Sequence, residues 1–197
     1  MRDRILNFVL YQTGWFAVVL SAAGGKPWEG SAVGLVLVGV HLYLSRERGP
    51  EIRMILSIGI MGTVVDSAQA FAGVFVFESG YWTYWIVPFW LTVMWLQFAT
   101  LFHFVLAWLS GRYFLSAALG GLGGPAAFLT GEKLGGVIFP MGTRYSLLIL
   151  AGVWAGVTPA CVFIADRFRP GGGMGSYRLP KRAVEENHSS RRGSEYR

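Results

Sequence analysis

A single carboxylate, Asp66, lies near the middle of an apolar run, Ile52 to Phe77, that is long enough to cross a lipid bilayer. An ionised aspartate at the centre of a membrane helix costs about 2.5 to 3.5 kcal/mol on insertion scales, so we expect Asp66 to be protonated or partnered and to face other helices. At helical spacing it shares one face with Gly59, Gly62 and Gln69. Two interpretations stay open: the acid carries proton-linked chemistry or transport, or it only joins helices through hydrogen bonds, with Gln69 as its nearest partner.

Two histidines, His41 and His103, stand on different predicted helices, and we expect them to meet Asn7 at one depth beneath the cytoplasmic interface. Imidazoles from two helices can bind haem iron or another metal. Neither histidine has a second ligand one helical turn away. The sequence therefore predicts no metal and no cofactor, and hydrogen-bonded helix packing is the main alternative.

Three further side chains complete the set of candidate site residues. Gln97 lies on the polar side of its helix together with His103, and Gln12 and Trp15 interrupt the first apolar run. The catalytic candidates are Asp66, Gln97, His103 and His41. The binding candidates are Asn7, Gln12, Trp15, Asp66 and Gln97.

Three glutamates, Glu29, Glu78 and Glu132, stand at separate helix ends on the opposite side of the membrane. Converging carboxylates could act as acid and base or bind cations, although charges in exposed loops are more often only solvated. No Ser-His-Asp arrangement is defensible, and the run GLGGP lacks the lysine and the preceding strand of a nucleotide-binding loop.

The composition indicates that a bilayer is the solvent. Soluble domains carry about 25% charged residues, whereas this chain of 197 residues is 14% charged and 53% hydrophobic. We predict an all-α fold, a polytopic membrane bundle in one domain at 1–166, with a loop at RERGPEIR after the second helix. The six transmembrane helices are expected at about 5–23, 30–45, 52–77, 84–109, 113–129 and 145–164.

Basic residues predict the orientation. With six helices and a cytoplasmic N-terminus, fourteen of the 17 Lys and Arg residues fall on the inner side, and the other three are Lys26, Lys133 and Arg144. The positive-inside rule therefore predicts that both termini are cytoplasmic. A re-entrant fifth helix, where Pro125 interrupts a glycine-rich run, would instead place the tail outside. The first helix also has the pattern of a signal peptide, but polar residues in its interior favour retention.

The composition changes abruptly after the last helix. Residues 167–197 are polar and rich in Gly, Ser and Arg, so they are predicted to be a basic, disordered cytoplasmic tail. The net charge of +6 is concentrated in this tail and at helix ends. Because it is not spread over a surface, no nucleic-acid partner is expected.

The segment NFVLYQTGW, with Asn7, Gln12 and Trp15 at these spacings, resembles the start of a bacterial integral-membrane family catalogued as domain-of-unknown-function family 2878. The segments WLTVMWLQFAT and GGPAAFLTGEKLG are also similar to that family, so the resemblance covers roughly 5–164. The family has no established activity to carry over onto residues. The resemblance implies a bacterial inner (plasma) membrane protein, and the location of some family members near cyclopropane-fatty-acid synthase-like genes implies a role in membrane-lipid modification.

Two functions are compatible with these features. The first is a non-catalytic or accessory protein that handles a lipid or a partner protein, with membrane lipids and another membrane protein or a lipid-modifying enzyme as partners. The second is a small transporter or a proton-linked membrane enzyme that uses Asp66, with Gln97 and the histidines as polar partners.

Overall fold

The computed structural model describes residues 1–77, 85–169, 171 and 174–178. Within these ranges the chain forms six α-helices and one short 3-10 turn at Ala107–Leu109. The helices are α1 Arg2–Ala23, α2 Pro27–Leu44, α3 Arg48–Phe71, α4 Phe89–Ala99, α5 Tyr113–Lys133 and α6 Thr143–Arg167. The prediction of an all-α fold with six helices is confirmed.

Glycine and proline separate the first two helices. α1 ends at Ala23 with Gly24 as its C-cap, and Gly25 follows with a φ of 73°, a left-handed conformation that glycine adopts without steric cost. α2 then begins at Pro27, whose missing N–H is no loss in the first turn of a helix. A Cβ at Gly30 would lie 2.9 Å from the carbonyl oxygen of Ala17. The small residue therefore lets α2 pack closely along α1.

Four helices, α1, α3, α5 and α6, are long and apolar enough to cross a membrane. α4 is apolar but has only 11 residues, and α2 is not among the four.

The third helix starts earlier than predicted. RERGPEIR was predicted to be a loop, which is wrong for the part from Arg48 onward, because α3 begins there. Pro50 fits this position, since the first N–H groups of a helix have no intrahelical partner. As a result Glu51 is helical and fully buried. At its other end α3 stops at Phe71, short of the predicted 77.

The fourth predicted helix, 84–109, is only partly helical. α4 stops at Ala99, and residues 100–110 continue in successive turns that are largely buried. The change begins at Thr100, whose N–H donates to the carbonyl of Gln97 three residues earlier (3.0 Å) and whose hydroxyl donates to the same carbonyl (2.7 Å). The carbonyl of Thr100 accepts the side-chain amide of Asn7 (3.1 Å), and the N–H of Phe104 bonds Leu101 instead (3.1 Å). The predicted start at residue 84 lies outside the described ranges.

The fifth helix is continuous through Pro125 and extends past its predicted end, as does α6. A Cβ at Gly120 would overlap the hydroxyl oxygen of Thr158, and one at Gly124 would overlap the Trp154 ring. The glycine-rich run is therefore, in part, a packing surface between α5 and α6.

Residues 174–178, the C-terminal strap, lie across one end of the bundle. The backbone N–H of Arg46 donates to Ser176 (3.1 Å), and that of Gly175 donates to His103 (2.7 Å). Tyr177 is buried with 2% of its surface exposed. The polar composition of the tail indicated disorder from residue 167, and it did not indicate this docked turn. Residues 179–197 lie outside the described ranges.

Candidate functional site

A buried carboxylate joins the two histidines. Glu51 of α3 contacts His103 Nδ1 through Oε1 (2.8 Å) and His41 Nε2 through Oε2 (3.2 Å). All three side chains are at most 1% exposed. His103 stands in the turn segment after α4, and its Nε2 donates to the carbonyl oxygen of Ala165 in α6 (2.9 Å). The cluster therefore connects α2, α3, α6 and the turn segment.

Asn7 and the C-terminal strap enclose the other side of the cluster. The Tyr177 hydroxyl lies 2.8 Å from His41 Nδ1 and accepts a hydrogen bond from Asn7 Nδ2 (3.2 Å). Burial raises the pKa of the Tyr177 phenol above its usual range, so it stays protonated. The Tyr177 ring also stacks on Phe104 with centroids 4.5 Å apart. The predicted meeting of Asn7, His41 and His103 at one level is thus observed, and Glu51 and Tyr177 are added to it.

The hydrogen bonds restrict where the protons of the cluster lie. A carbonyl oxygen only accepts, so Nε2 of His103 carries a hydrogen. In the assignment that satisfies every group, Tyr177 accepts from Asn7 and donates to His41 Nδ1, which leaves His41 neutral and donating from Nε2 to Glu51. One proton is then shared between Glu51 and His103 Nδ1. The three groups together carry no net charge, which is the condition for burying them at moderate cost.

Within the described ranges, no three His, Cys, Asp or Glu side chains are placed to hold a metal ion. Glu51 stands between the imidazoles and contacts each with a different oxygen. The geometry is that of a hydrogen-bonded chain.

Asp66 belongs to a separate network in the middle of α3. Its Oδ2 accepts the indole N–H of Trp95 (2.6 Å) and its Oδ1 accepts the amide of Gln69 (3.1 Å). Asp66 is 1% exposed, and Gly59, Gly62 and Gln69 on the same face are buried as well. The expectation that the acid faces protein is met, and the predicted Gln69 contact is present. The structure does not bring Asp66 to either histidine, since each is bonded to Glu51 instead.

Gln97, Gln12 and Trp15 occupy three different environments. Gln97 is buried where a Cβ on Gly14 or Gly34 would overlap its amide, and neither amide atom has a hydrogen-bond partner among the described residues. Trp15 is buried and lines the cavity, whereas Gln12 is half-buried on α1. The Gln97 side chain therefore packs between α1 and α2, against a glycine of each helix.

An apolar cavity of about 300 Å³ lies between α5 on one side and α1 and α4 on the other. Its wall carries aromatic rings from several helices and one carboxylate, Asp66. The rings include Trp15, Trp90, Trp95 and Trp154. On the α5 side the lining residues Leu119 and Gly123 are exposed on the outside of the bundle. The cavity therefore reaches the surface along α5.

The opposite-side glutamates do not form a site in the described ranges. Glu29 is exposed beside Lys26 (3.8 Å), and Glu132 accepts the hydroxyl of Thr143 (2.8 Å). Glu78, with the loop around it, lies outside the described residues.

Sequence reasoning missed Glu51 and Tyr177. Glu51 stood in a charged, proline-containing segment that is typical of a loop, although Pro in the first turn of a helix was a usable signal. Tyr177 is one aromatic residue in a polar tail, and no local signal marked it.

A family model described as "Protein of unknown function (DUF2878)" matches residues 4–160. No curated protein and no solved structure matches the chain.

Proposed function

The chain belongs to this family of proteins of unknown function, and on that premise we propose that it is a non-catalytic or accessory multi-pass membrane protein that holds a lipid-like molecule in the cavity beside α5. Its partners are membrane lipids and another membrane protein or a lipid-modifying enzyme.

Membrane insertion is supported by the four long apolar helices and by the distribution of charge. We place six spans in a bacterial inner membrane, with α2 as one further span and α4 together with the buried turns of residues 100–110 as the other. At one end of the bundle Tyr177 N–H bonds Asp3 of α1 (3.2 Å) and Arg46 follows α2. This is the end where most basic residues fall, which supports our proposal that both termini lie in the cytoplasm.

The apolar cavity is the observation that carries the ligand proposal. Exposed residues of α5 form part of its wall, so an acyl chain in the bilayer has a lateral way in. Lipid tails are as apolar as leucine, and the hydrophobic effect contributes little to transfer from bilayer to cavity. Selectivity must then come from packing against the aromatic wall and from its one carboxylate.

Two neighbouring alanines of α5 allow a matched test. Ala127 lines the cavity, whereas Ala126 is exposed and does not. In vesicles that contain a phospholipid with a photoactivatable diazirine in its acyl chain, the wild type should cross-link at Trp154 and at the cavity face of α5. Ala127→Trp fills the cavity and should remove the cross-link at Trp154, while Ala126→Trp should leave it.

Cross-linking at Trp154 that is equal in both variants would contradict lipid binding in the cavity. Cross-links on outward-facing residues such as Leu122, which is 74% exposed, report ordinary contact with the bilayer and serve as the internal reference.

A second candidate function is a small transporter or proton-linked membrane enzyme that uses Asp66. The specific observation in its favour is that Asp66 lines the cavity. The bonds to Trp95 and Gln69 equally fit a structural hydrogen-bonding role. Asp66→Asn that keeps membrane abundance but fails to restore the lipid profile of a deletion strain supports the active role. A silent Asp66→Asn with reduced abundance of Asp66→Leu assigns the structural one.

A further inference from the structure

The carboxyl group of Asp66 has two neutral partners and no basic one. Trp95 donates a hydrogen bond to one of its oxygens and Gln69 donates to the other. No Lys, Arg or His in the described ranges forms an ion pair with it. An ionised carboxylate in this position therefore keeps an unbalanced charge inside an apolar wall. A buried charge of this kind is costly unless a counter-charge reaches it.

The Gln69 amide can serve both protonation states of Asp66. When Asp66 is ionised, Nε2 of Gln69 donates to Oδ1. When Oδ1 carries a proton, a half turn of the amide presents Oε1, which is buried and has no hydrogen-bond partner among the described residues. Trp95 keeps donating to Oδ2 in either state, since an indole N–H only donates. The carboxyl can thus exchange a proton for another cation without losing its two bonds.

Aromatic rings surround the space into which such a cation would fit. The cavity wall includes the rings of Trp15, Trp90 and Trp154 together with Asp66. Faces of aromatic rings attract cations, most strongly where water is excluded. A carboxylate within an aromatic wall is the chemistry that recognises substituted ammonium and phosphonium groups.

We propose that the cavity binds a lipophilic organic cation whose charge pairs with Asp66 and which competes with a proton for that carboxyl. The inference rests on the proposed function, because it requires the cavity to admit an apolar molecule, and it adds the charge of the ligand. Of the described titratable side chains, Asp66 and Tyr11 line the cavity, and α4, α5 and α6 contribute none. Tyr11 is a neutral phenol at neutral pH, so Asp66 is the group that sets the dependence on pH.

Two probes of nearly equal size and different charge test the inference on the purified full-length protein. Methyltriphenylphosphonium is a cation, and triphenylphosphine oxide is neutral. By equilibrium dialysis at neutral pH, the wild type should bind the cation at least about tenfold more tightly, a factor equivalent to about 1.4 kcal/mol. On the acidic side, binding of the cation should weaken by up to about tenfold per pH unit, the slope of exchange against one proton, while binding of the neutral probe should not change.

Variants assign the effect to Asp66. Asp66→Asn should bind both probes equally at every pH, and Asp66→Glu should keep the preference for the cation. Glu29→Gln makes the same chemical change at an exposed site outside the cavity and should behave as the wild type. The comparison of the two probes on the wild type needs no variant, so it stands whether or not Asp66→Asn folds.

Equal binding of both probes by the wild type, without dependence on pH, would overturn the cation inference and leave the apolar cavity intact. If Ala127→Trp and Ala126→Trp both lose the lipid cross-link at Trp154, or both keep it, lipid binding in the cavity is contradicted and the measurement with the two probes is unaffected. The two ideas therefore fail in different measurements.

Discussion

Glu51 should respond very differently to replacement by glutamine and by leucine. In Glu51→Gln, the new side-chain amide would donate to His103 Nδ1, which is free to accept because Nε2 of that ring already donates to Ala165. The carbonyl oxygen of the new side chain would accept from His41 Nε2, as Glu51 does now. Leucine fills the space but bonds neither ring.

The expected magnitudes follow from the number of buried atoms left without partners. Glu51→Leu leaves one ring nitrogen of each histidine without a hydrogen-bond partner. Each buried unsatisfied group costs about 1 to 3 kcal/mol, so the unfolding free energy should fall by about 2 to 6 kcal/mol. Glu51→Gln keeps both bonds, loses their charge assistance and adds one unused amide hydrogen. We expect about 1 to 2 kcal/mol for that change.

Unfolding in mixed micelles, followed by tryptophan fluorescence, measures both variants against the wild type. Glu47→Leu is the matched control, because Glu47 is exposed four residues before Glu51, and it should shift stability by no more than about 0.5 kcal/mol. A Glu51→Gln protein as unstable as Glu51→Leu would refute the proton arrangement. The negative charge itself would then be required, as in an ion pair with a doubly protonated His41.

Two further predictions use matched pairs of substitutions. Tyr177→Phe removes the hydroxyl that bonds His41 and Asn7, and it should cost about 1 to 2 kcal/mol of unfolding free energy. Tyr43→Phe, at a residue that is 73% exposed, is the control and should leave the unfolding free energy nearly unchanged. Equal effects of the two substitutions would show that the strap is not held by the Tyr177 hydroxyl. Gly124→Ala places a Cβ against the Trp154 ring and should lower the unfolding free energy by about 1 to 3 kcal/mol. In Gly123→Ala the new Cβ meets nothing within 4 Å, so this control should be neutral or stabilising. Thermal melting in detergent measures both variants, and a lower melting temperature for Gly123→Ala than for Gly124→Ala would contradict the α5–α6 packing.

The long helices and the inward face of Asp66 could be predicted because a bilayer imposes strong constraints. Apolar length predicts a span, and the cost of a charge in lipid predicts which way Asp66 turns. The approach of His41 to His103 was also predictable, since alternating helix directions place both near the same end.

The contacts of the turn segment after α4 and the burial of Glu51 could not be predicted from local patterns. Thr100 is followed by neither glycine nor proline, yet its carbonyl accepts from Asn7, 93 residues away in sequence, and not from the N–H of Phe104. Glu51 is buried with one imidazole on each carboxylate oxygen, although it lies in a charged stretch of sequence. Both features depend on partners distant in sequence, which periodicity does not report.

The two carboxylates of α3 show how the bundle can be rigid on one side and adaptable on the other. Glu51 and Asp66 are 15 residues apart, about 22 Å along the helix. Glu51 hydrogen-bonds His103 in the turn segment after α4, and Asp66 hydrogen-bonds Trp95 of α4. α6 is tied to the same body by the His103 bond to Ala165 and by its other end, where Ser146 donates to Val74.

α5 has no comparable tie. No side-chain hydrogen bond in the described ranges joins α5 to α1, α2, α3 or α4, and its glycines pack on α6. The cavity is therefore bounded on one side by a hydrogen-bonded body and on the other by α5, which is held to α6 by packing and by the Thr143–Glu132 hydrogen bond. In the proposed function, a molecule that enters from the bilayer would displace α5 without breaking a side-chain hydrogen bond to α1, α2, α3 or α4, while Asp66 stays held on α3 by Trp95 and Gln69.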